Sequence, residues 1–139
     1  MLRTKLIHPE ILEALGSAGH GSVVLVADGN YPFSTGAAAG ARRVYLNFAP
    51  GLLTVPDVLR VLVQTIPVES VDVIVPDNGD EPPIFPEFRQ IFGEMPLAPL
   101  TRFPFYDKAR SANTALVIAT GEQHTYACVL LTIGVILAS

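Results

Sequence analysis

Gly19-His20-Gly21 sets an imidazole in a glycine turn, and a short apolar run, Val23–Ala27, carries the chain from it to Asp28. Histidine is the side chain whose ordinary pKa, about 6.5, lies nearest neutrality, so it is the natural proton carrier. The apolar run is continuous rather than alternating, as in a strand covered on both faces. Ligands of open α/β sheets gather at the carboxyl ends of strands. Asp28 ends such a strand and His20 leads into it. The expectation is that one short element supplies both an acid/base and an anionic hydrogen-bond acceptor. Farther on, Arg102 stands among aromatics in Thr101-Arg102-Phe103-Pro104-Phe105-Tyr106, and Tyr126 follows a Thr120-Gly121-Glu122 turn. Carboxylate, guanidinium, phenol and aromatic faces together suit a hydroxyl-rich small ligand.

Other chemistries fit these residues poorly. His8, His20 and His124 form no pair at zinc spacing, and His124 and Cys128 sit on a turn and strand rather than on one helix. Gly16, Gly19 and Gly21 follow a helix and precede a strand, the reverse of a dinucleotide fingerprint, and no Walker motif is present. Asp28-Gly29-Asn30 lacks the second aspartate that a magnesium-dependent aspartyl-phosphate site needs. There is no G-x-S-x-G elbow, and Cys128 lies in an apolar segment as a small core residue would. What is left is non-covalent acid/base chemistry. Each residue also has a plain structural use: His20 as a helix-end cap, Asp28 as an acceptor for turn amides, Arg102 in a surface pair, Tyr126 in the core.

These side chains need a scaffold, and the patterning supplies one. Helices are expected over Pro9–Ala18, Pro56–Thr65, Pro86–Phe92 and Phe105–Ala112. Strands are expected over Val23–Ala27, Arg42–Asn47, Val71–Val75, Leu97–Leu100, Ala115–Ala119 and Tyr126–Leu131. Gly29–Ala41, rich in Gly, Ala, Pro and Ser, reads as a loop at the mouth of a site, and Pro76–Pro83 as a solvated acidic loop. Cys128–Ala138 reads as a buried strand and tail, too short to cross a bilayer. Helices alternating with short apolar strands indicate an α/β fold: one three-layer domain, 1–139, whose mostly parallel central sheet is flanked by helices.

With 139 residues, half of them apolar and 16% charged, the chain is too apolar for disorder and greasy for a small monomer. That excess points to buried subunit interfaces. Net charge is −4 and the nine Lys and Arg residues form no stripe, which argues against nucleic acid. The single cysteine fits a reducing, cytoplasmic setting. The N-terminus lacks the pattern of a signal peptide.

An ordered set of short segments resembles one family, the D-ribose pyranase / L-fucose mutarotase family. The set is Pro9-Glu10-Ile11-Leu12, Gly19-His20-Gly21, Ala27-Asp28, Arg102-Phe103-Pro104-Phe105-Tyr106, Thr120-Gly121-Glu122, and Tyr126-Ala127-Cys128-Val129-Leu130-Leu131 with Gly134-Val135. The resemblance implies a ribose pyranase-like fold and an enzyme that interconverts anomers or ring forms of a free monosaccharide without a cofactor. It implies His20 as proton donor, Asp28 as a sugar-binding carboxylate, and Tyr126 and Cys128 as the pair contacting substrate. Arg102 resembles the fucose branch, where the ribose branch has histidine. L-fucose is thus the expected substrate, with D-ribose or another aldose next. The family's rings of five or ten chains, with sites near subunit boundaries, imply a pentamer or decamer. Three positions depart from the pattern: Ser22 for an aspartate, Asn30 for a histidine, and Cys128 for an asparagine. The last leaves a second reading, a non-catalytic sugar-binding or sensing module on the same scaffold.

Overall fold

The computed structural model describes residues 1–139. Its elements run α1 (Pro9–Ser17), β1 (Val23–Ala27), β2 (Arg42–Tyr45), α2 (Val55–Leu62), β3 (Val68–Ile74), α3 (Phe85–Phe92), β4 (Leu97–Leu100), α4 (Arg102–Ala109), β5 (Thr114–Ala119) and β6 (Val129–Ile133). The six strands form one sheet in the order β2-β5-β1-β6-β3-β4. β2, β5 and β1 pair in parallel, as do β3 and β4. β6 lies between these two parallel groups and runs against both. The beginning of β6 therefore meets the carboxyl ends of β1 and β3, and its end meets their beginnings.

The sheet is covered on both faces, as the continuous apolar strands require. Val24, Val26, Leu116, Ile118, Val129 and Leu131 point to one side, where α1, α2 and α3 pack with Ile11, Leu59 and Phe88. Leu25, Val117 and Leu130 point to the other, where Phe105 and Ala109 of α4 and Tyr31 of the 28–41 loop cover them. The three layers are thus unequal: three helices on one face, one helix and a long loop on the other. A loop serves as a layer because Arg43 on β2 binds it. The guanidinium donates to the carbonyls of Phe33, Ala38, Ala41 and Ala37 at 2.8–3.3 Å.

Local chemistry sets the helix starts. His8 Nδ1 accepts the Ile11 N–H at 3.3 Å ahead of Pro9. Thr54 and Asp57 form a reciprocal capping box for α2. Helix α4 begins at Arg102, three residues before the expected Phe105, and ends at Ala109. Pro104 does not delay it, because a first-turn residue has no intrahelical partner for the N–H that proline lacks.

Two expectations about the last segment fail. β6 spans Val129–Ile133, not Tyr126–Leu131, so Tyr126 and Cys128 precede the strand. Tyr126 has a φ of 56°, a left-handed conformation that no strand accommodates. The tail beyond Ile133 is not buried: Val135, Ile136 and Leu137 face solvent, Ile136 with 83% exposure. No helix is long and apolar enough to cross a membrane.

Candidate functional site

Where β6 begins between the carboxyl ends of β1 and β3, a cavity of about 340 Å³ opens. Asp28, Arg102, Tyr126 and Cys128 all line it. Tyr31, Asp77 and Tyr106 complete much of its wall. Four of the five candidate residues thus converge at the one place where the sheet changes strand direction.

Asp28 is 4% exposed. One carboxylate oxygen accepts the Asn30 N–H at 3.0 Å and the other the Ala127 N–H at 3.2 Å. Its own N–H donates to Cys128 Sγ at 3.3 Å. The acceptor role for turn amides and the place in the cavity are therefore both real, and they reinforce each other. Two fixed N–H donors hold the carboxylate in one orientation while its remaining lone pairs stay open to a ligand. Burial, with the nearby Asp28 carboxylate, pushes the Cys128 thiol well above its ordinary pKa. Cys128 is therefore a neutral, weak hydrogen-bonding group rather than a nucleophile.

Arg102 occupies the first position of α4, with its guanidinium 5.3 Å from the Phe103 ring centroid and 5.4 Å from that of Tyr106. The surface-pair alternative is not realised, since no carboxylate pairs with it. Stacking holds the planar cation while leaving its N–H donors free. Tyr126 is not core: it stands 38% exposed at the cavity mouth. Its left-handed backbone costs roughly 1–2 kcal/mol relative to ordinary conformations, and the Ala127 N–H bond to Asp28 pins the next residue.

Tyr31 forms wall rather than ligand contact. Its hydroxyl donates to the Gly36 carbonyl at 2.5 Å, and its ring meets Tyr106 edge-on at 4.9 Å. Burial pushes its phenol well above the usual range. The loop expected at the mouth of a site is thus what closes it. Asp77, by contrast, was hidden in the sequence inside what reads as a solvated acidic loop. It is exposed, lines the cavity, and its carboxylate has no hydrogen-bond partner. Only its position just past β3, at the same sheet edge as Asp28, could have singled it out.

The Thr120-Gly121-Glu122 segment braces the site from behind. Thr120 Oγ1 donates to the Ala27 carbonyl at 2.7 Å. A Cβ on Gly121 would lie 2.3 Å from the Ala49 carbonyl oxygen, so only glycine fits. Buried Glu122 accepts the Val55 N–H, capping α2, and accepts His124 Nδ1–H at 2.7 Å. In the sequence this segment reads as a turn and as one piece of the family resemblance, and neither reading marks its bracing role.

His20 is elsewhere. It sits at the opposite end of β1, in an exposed turn, with Nε2 2.9 Å from Glu69 Oε1. Five strand residues rising about 3.3 Å each place the two ends of β1 about 17 Å apart. The expectation that one element brings His20 and Asp28 to one ligand is therefore corrected: β1 holds them apart. Nor does His20 cap α1; its imidazole is engaged by Glu69.

A family model described as the RbsD / FucU transport protein family matches residues 1–136. The chain belongs to this family. It is 31% identical to human fucose mutarotase over 94% of this chain and 90% of that protein. It is 32% identical to the D-ribose pyranase of Variovorax paradoxus, over 97% and 98% of the two chains. The fold matches the crystal structure of a Streptococcus pneumoniae fucose mutarotase in complex with L-fucose, with a TM-score of 0.84. That match covers 99% of this chain and all of the other at 24% identity. These homologues are carbohydrate mutarotases, hence isomerases, and the family assignment and three-layer α/β fold expected from the sequence hold.

Proposed function

We propose that the chain is a cofactor-independent aldose mutarotase of the cytoplasm, acting on L-fucose or a related free aldose. The observation that carries this is the convergence of Asp28, Arg102 and Tyr126 on one cavity in a chain whose relatives are mutarotases. The cavity offers a fixed anionic acceptor, a stacked cation with free donors, and phenol and ring surfaces. Sugars combine hydroxyl edges with apolar ring faces and need that mixture. Arg102 favours fucose over ribose.

The reaction opens and recloses the pyranose. The anomeric hydroxyl gives up its proton and its oxygen becomes the C1 carbonyl. The bond from C1 to the ring oxygen breaks with its electron pair on oxygen, and that oxygen is protonated. Rotation about C1–C2 and closure on the other face invert C1 and return both protons. His20 supplies the ring-oxygen proton in this scheme. Asp77, the cavity carboxylate without a partner, is placed to take the hydroxyl proton. Asp28, Arg102 and Tyr126 hold the other hydroxyls, with Cys128 beneath Asp28.

Because β1 separates His20 from the cavity, a complete site needs two copies. One copy's His20 end meets the cavity end of the next. The surfaces suit this, since Phe103 beside Arg102 is an exposed apolar group, and so are Ile136 and Leu137, which follow the end of β6 to which the His20 turn is bonded. A head-to-tail contact of this kind repeats into a ring when its rotation closes. We take the ring to be a pentamer or decamer, which also accounts for the apolar excess of the sequence.

Saturation-transfer NMR with L-fucose, D-ribose, D-galactose and D-glucose tests the reading. Exchange between α and β signals should rise with enzyme for at least one sugar and vanish in His20→Ala. The neutral Cys128 thiol favours a second reading, a sugar-binding module without catalysis. That reading predicts calorimetric binding with unchanged anomer exchange, and recovery of exchange in Cys128→Asn would mark a decayed enzyme.

A further inference from the structure

The turn that carries His20 is built more rigidly than an exposed turn with no local task requires. Ser22 N–H donates to the Gly19 carbonyl at 3.0 Å, closing the turn. Gly21 at the third position has a φ of 86°, which favours glycine. Ser22 Oγ accepts the Gly19 N–H at 3.2 Å. The turn is then fastened to the end of β6: Gly21 N–H donates to the Ile133 carbonyl, and Ile133 N–H to the Ser22 carbonyl, both at 2.9 Å.

Glu69, on the neighbouring β3, reaches the imidazole from the side. Its Oε1 lies 2.9 Å from His20 Nε2, and its carboxylate has no other partner. Its backbone lies directly beneath Gly134, where an added Cβ would stand 3.3 Å from Glu69 Cβ. The start of β1, the end of β6 and the start of β3 therefore converge on one solvent-facing imidazole that has nothing in its own chain to act upon. A carboxylate oxygen only accepts, so Nε2 must carry the hydrogen of that bond, and the other ring nitrogen, Nδ1, is left free. A ring tethered through one nitrogen is fixed in tautomer and in orientation.

We propose that Glu69 is a positioning residue: it keeps the Nε2–H of His20 on its own carboxylate, so that Nδ1 faces the sugar in the next copy's cavity, takes up a proton to give the imidazolium, and passes that proton to the ring oxygen on opening and recovers it on closure. This rests on the mutarotase reading above. The Ser22 hydroxyl is occupied by the turn, so β3 supplies the polar partner of this imidazole.

The test is a two-bond ¹H–¹⁵N NMR spectrum of the ¹⁵N-histidine-labelled full chain above pH 8, with His20→Ala to assign the signals. Anomer exchange of Glu69→Gln and Glu69→Ala is measured alongside. The wild type should show the Nε2–H pattern for His20, and Glu69→Ala should lose it for a tautomer mixture. Exchange should fall about 10- to 100-fold in Glu69→Ala, as for other partners that orient a working imidazole. The fall should lie in kcat, with KM and oligomer size by light scattering unchanged. Glu69→Gln, which keeps an oxygen acceptor, should retain more of both signals than Glu69→Ala. A wild-type His20 in the Nδ1–H form, or a Glu69→Ala variant with unchanged kcat, would overturn the proposal. If the wild type accelerates no sugar, the mutarotase reading fails instead, and the tautomer spectrum still decides what Glu69 does to His20.

Discussion

The two ends of β1 are built on opposite plans. At the carboxyl end, Asp28 is buried, carries two backbone N–H bonds and joins the wall of a cavity. At the amino end, His20 is exposed on a turn and touches one side chain. The first end is part of the fold and also of the site, so stability and binding share the same atoms. The second is attached to the fold by the backbone of its turn and by the one bond to Glu69, and the rest of its side chain faces solvent. The contrast teaches that a residue's contribution to folding and its contribution to chemistry separate cleanly where the partner lies outside the chain. They fuse where the site is a strand end.

Substitutions at the two ends should therefore fail in different ways. His20→Ala should cost anomer exchange about 10²–10⁴-fold, the usual range for one acid/base group. It should leave the melting curve within about 0.5 kcal/mol of wild type, as expected of a surface change. Equal loss of stability and activity there would break the contrast. Asp28→Ala should destabilise by about 1–3 kcal/mol in urea, because the buried Ala127 N–H loses its acceptor. It should also abolish sugar binding by calorimetry.

A smaller effect concerns protonation at the buried end. Burial raises both the Cys128 thiol and the Tyr31 phenol. The folded chain keeps these protons where the unfolded chain, with ordinary values of about 8.5 and 10, releases them. Their contribution to stability is full below those values and is lost as pH rises above them. Urea midpoints should thus fall from about pH 9 upward, and less steeply in Tyr31→Phe. Native Cys128 should resist alkylation at pH 8 and react readily in denaturant. Rapid native alkylation would contradict the buried, neutral thiol.

The smallest effect is at Tyr126. Tyr126→Gly should relieve its left-handed backbone, by about 1 kcal/mol at most once the added flexibility of the unfolded chain is counted. The same change should weaken sugar binding. A variant that is both less stable and unaltered in affinity would show that the conformation serves packing rather than the cavity.

Most of the fold was legible because its signals are local. A continuous apolar run, a proline at a helix start and a glycine at its end are each set by neighbours in sequence, and β1, α1 and β4 follow from them. The antiparallel course of β6 was not legible. Its Val-Leu-Leu residues are as apolar as a parallel strand, and its direction follows from the absence of a helix between β5 and β6, so that the chain re-enters the sheet at the end it left. Tyr126 was misplaced for a related reason: a left-handed backbone in a non-glycine residue is imposed by tertiary bonds, here through Ala127 to Asp28. For the site, residue types pointed to Asp28, Arg102 and Tyr126. The separation of His20 was written in strand geometry, since turn and strand end lie on opposite sides of a five-residue strand. Glu69 and Asp77 carried no local mark, because each gains its meaning from a strand adjacent only in space.

The central claim is that one copy's His20 completes another copy's Asp28 cavity. Mixing tests it most directly. His20→Ala and Asp28→Asn are each prepared, unfolded together in equal amounts and refolded, and anomer exchange is measured by saturation transfer. Each variant alone should be inactive. In mixed head-to-tail rings, about a quarter of the contacts pair an intact His20 with an intact cavity, so about a quarter of wild-type exchange should return. Mixed rings confirmed by native mass spectrometry with no recovered exchange would contradict the account.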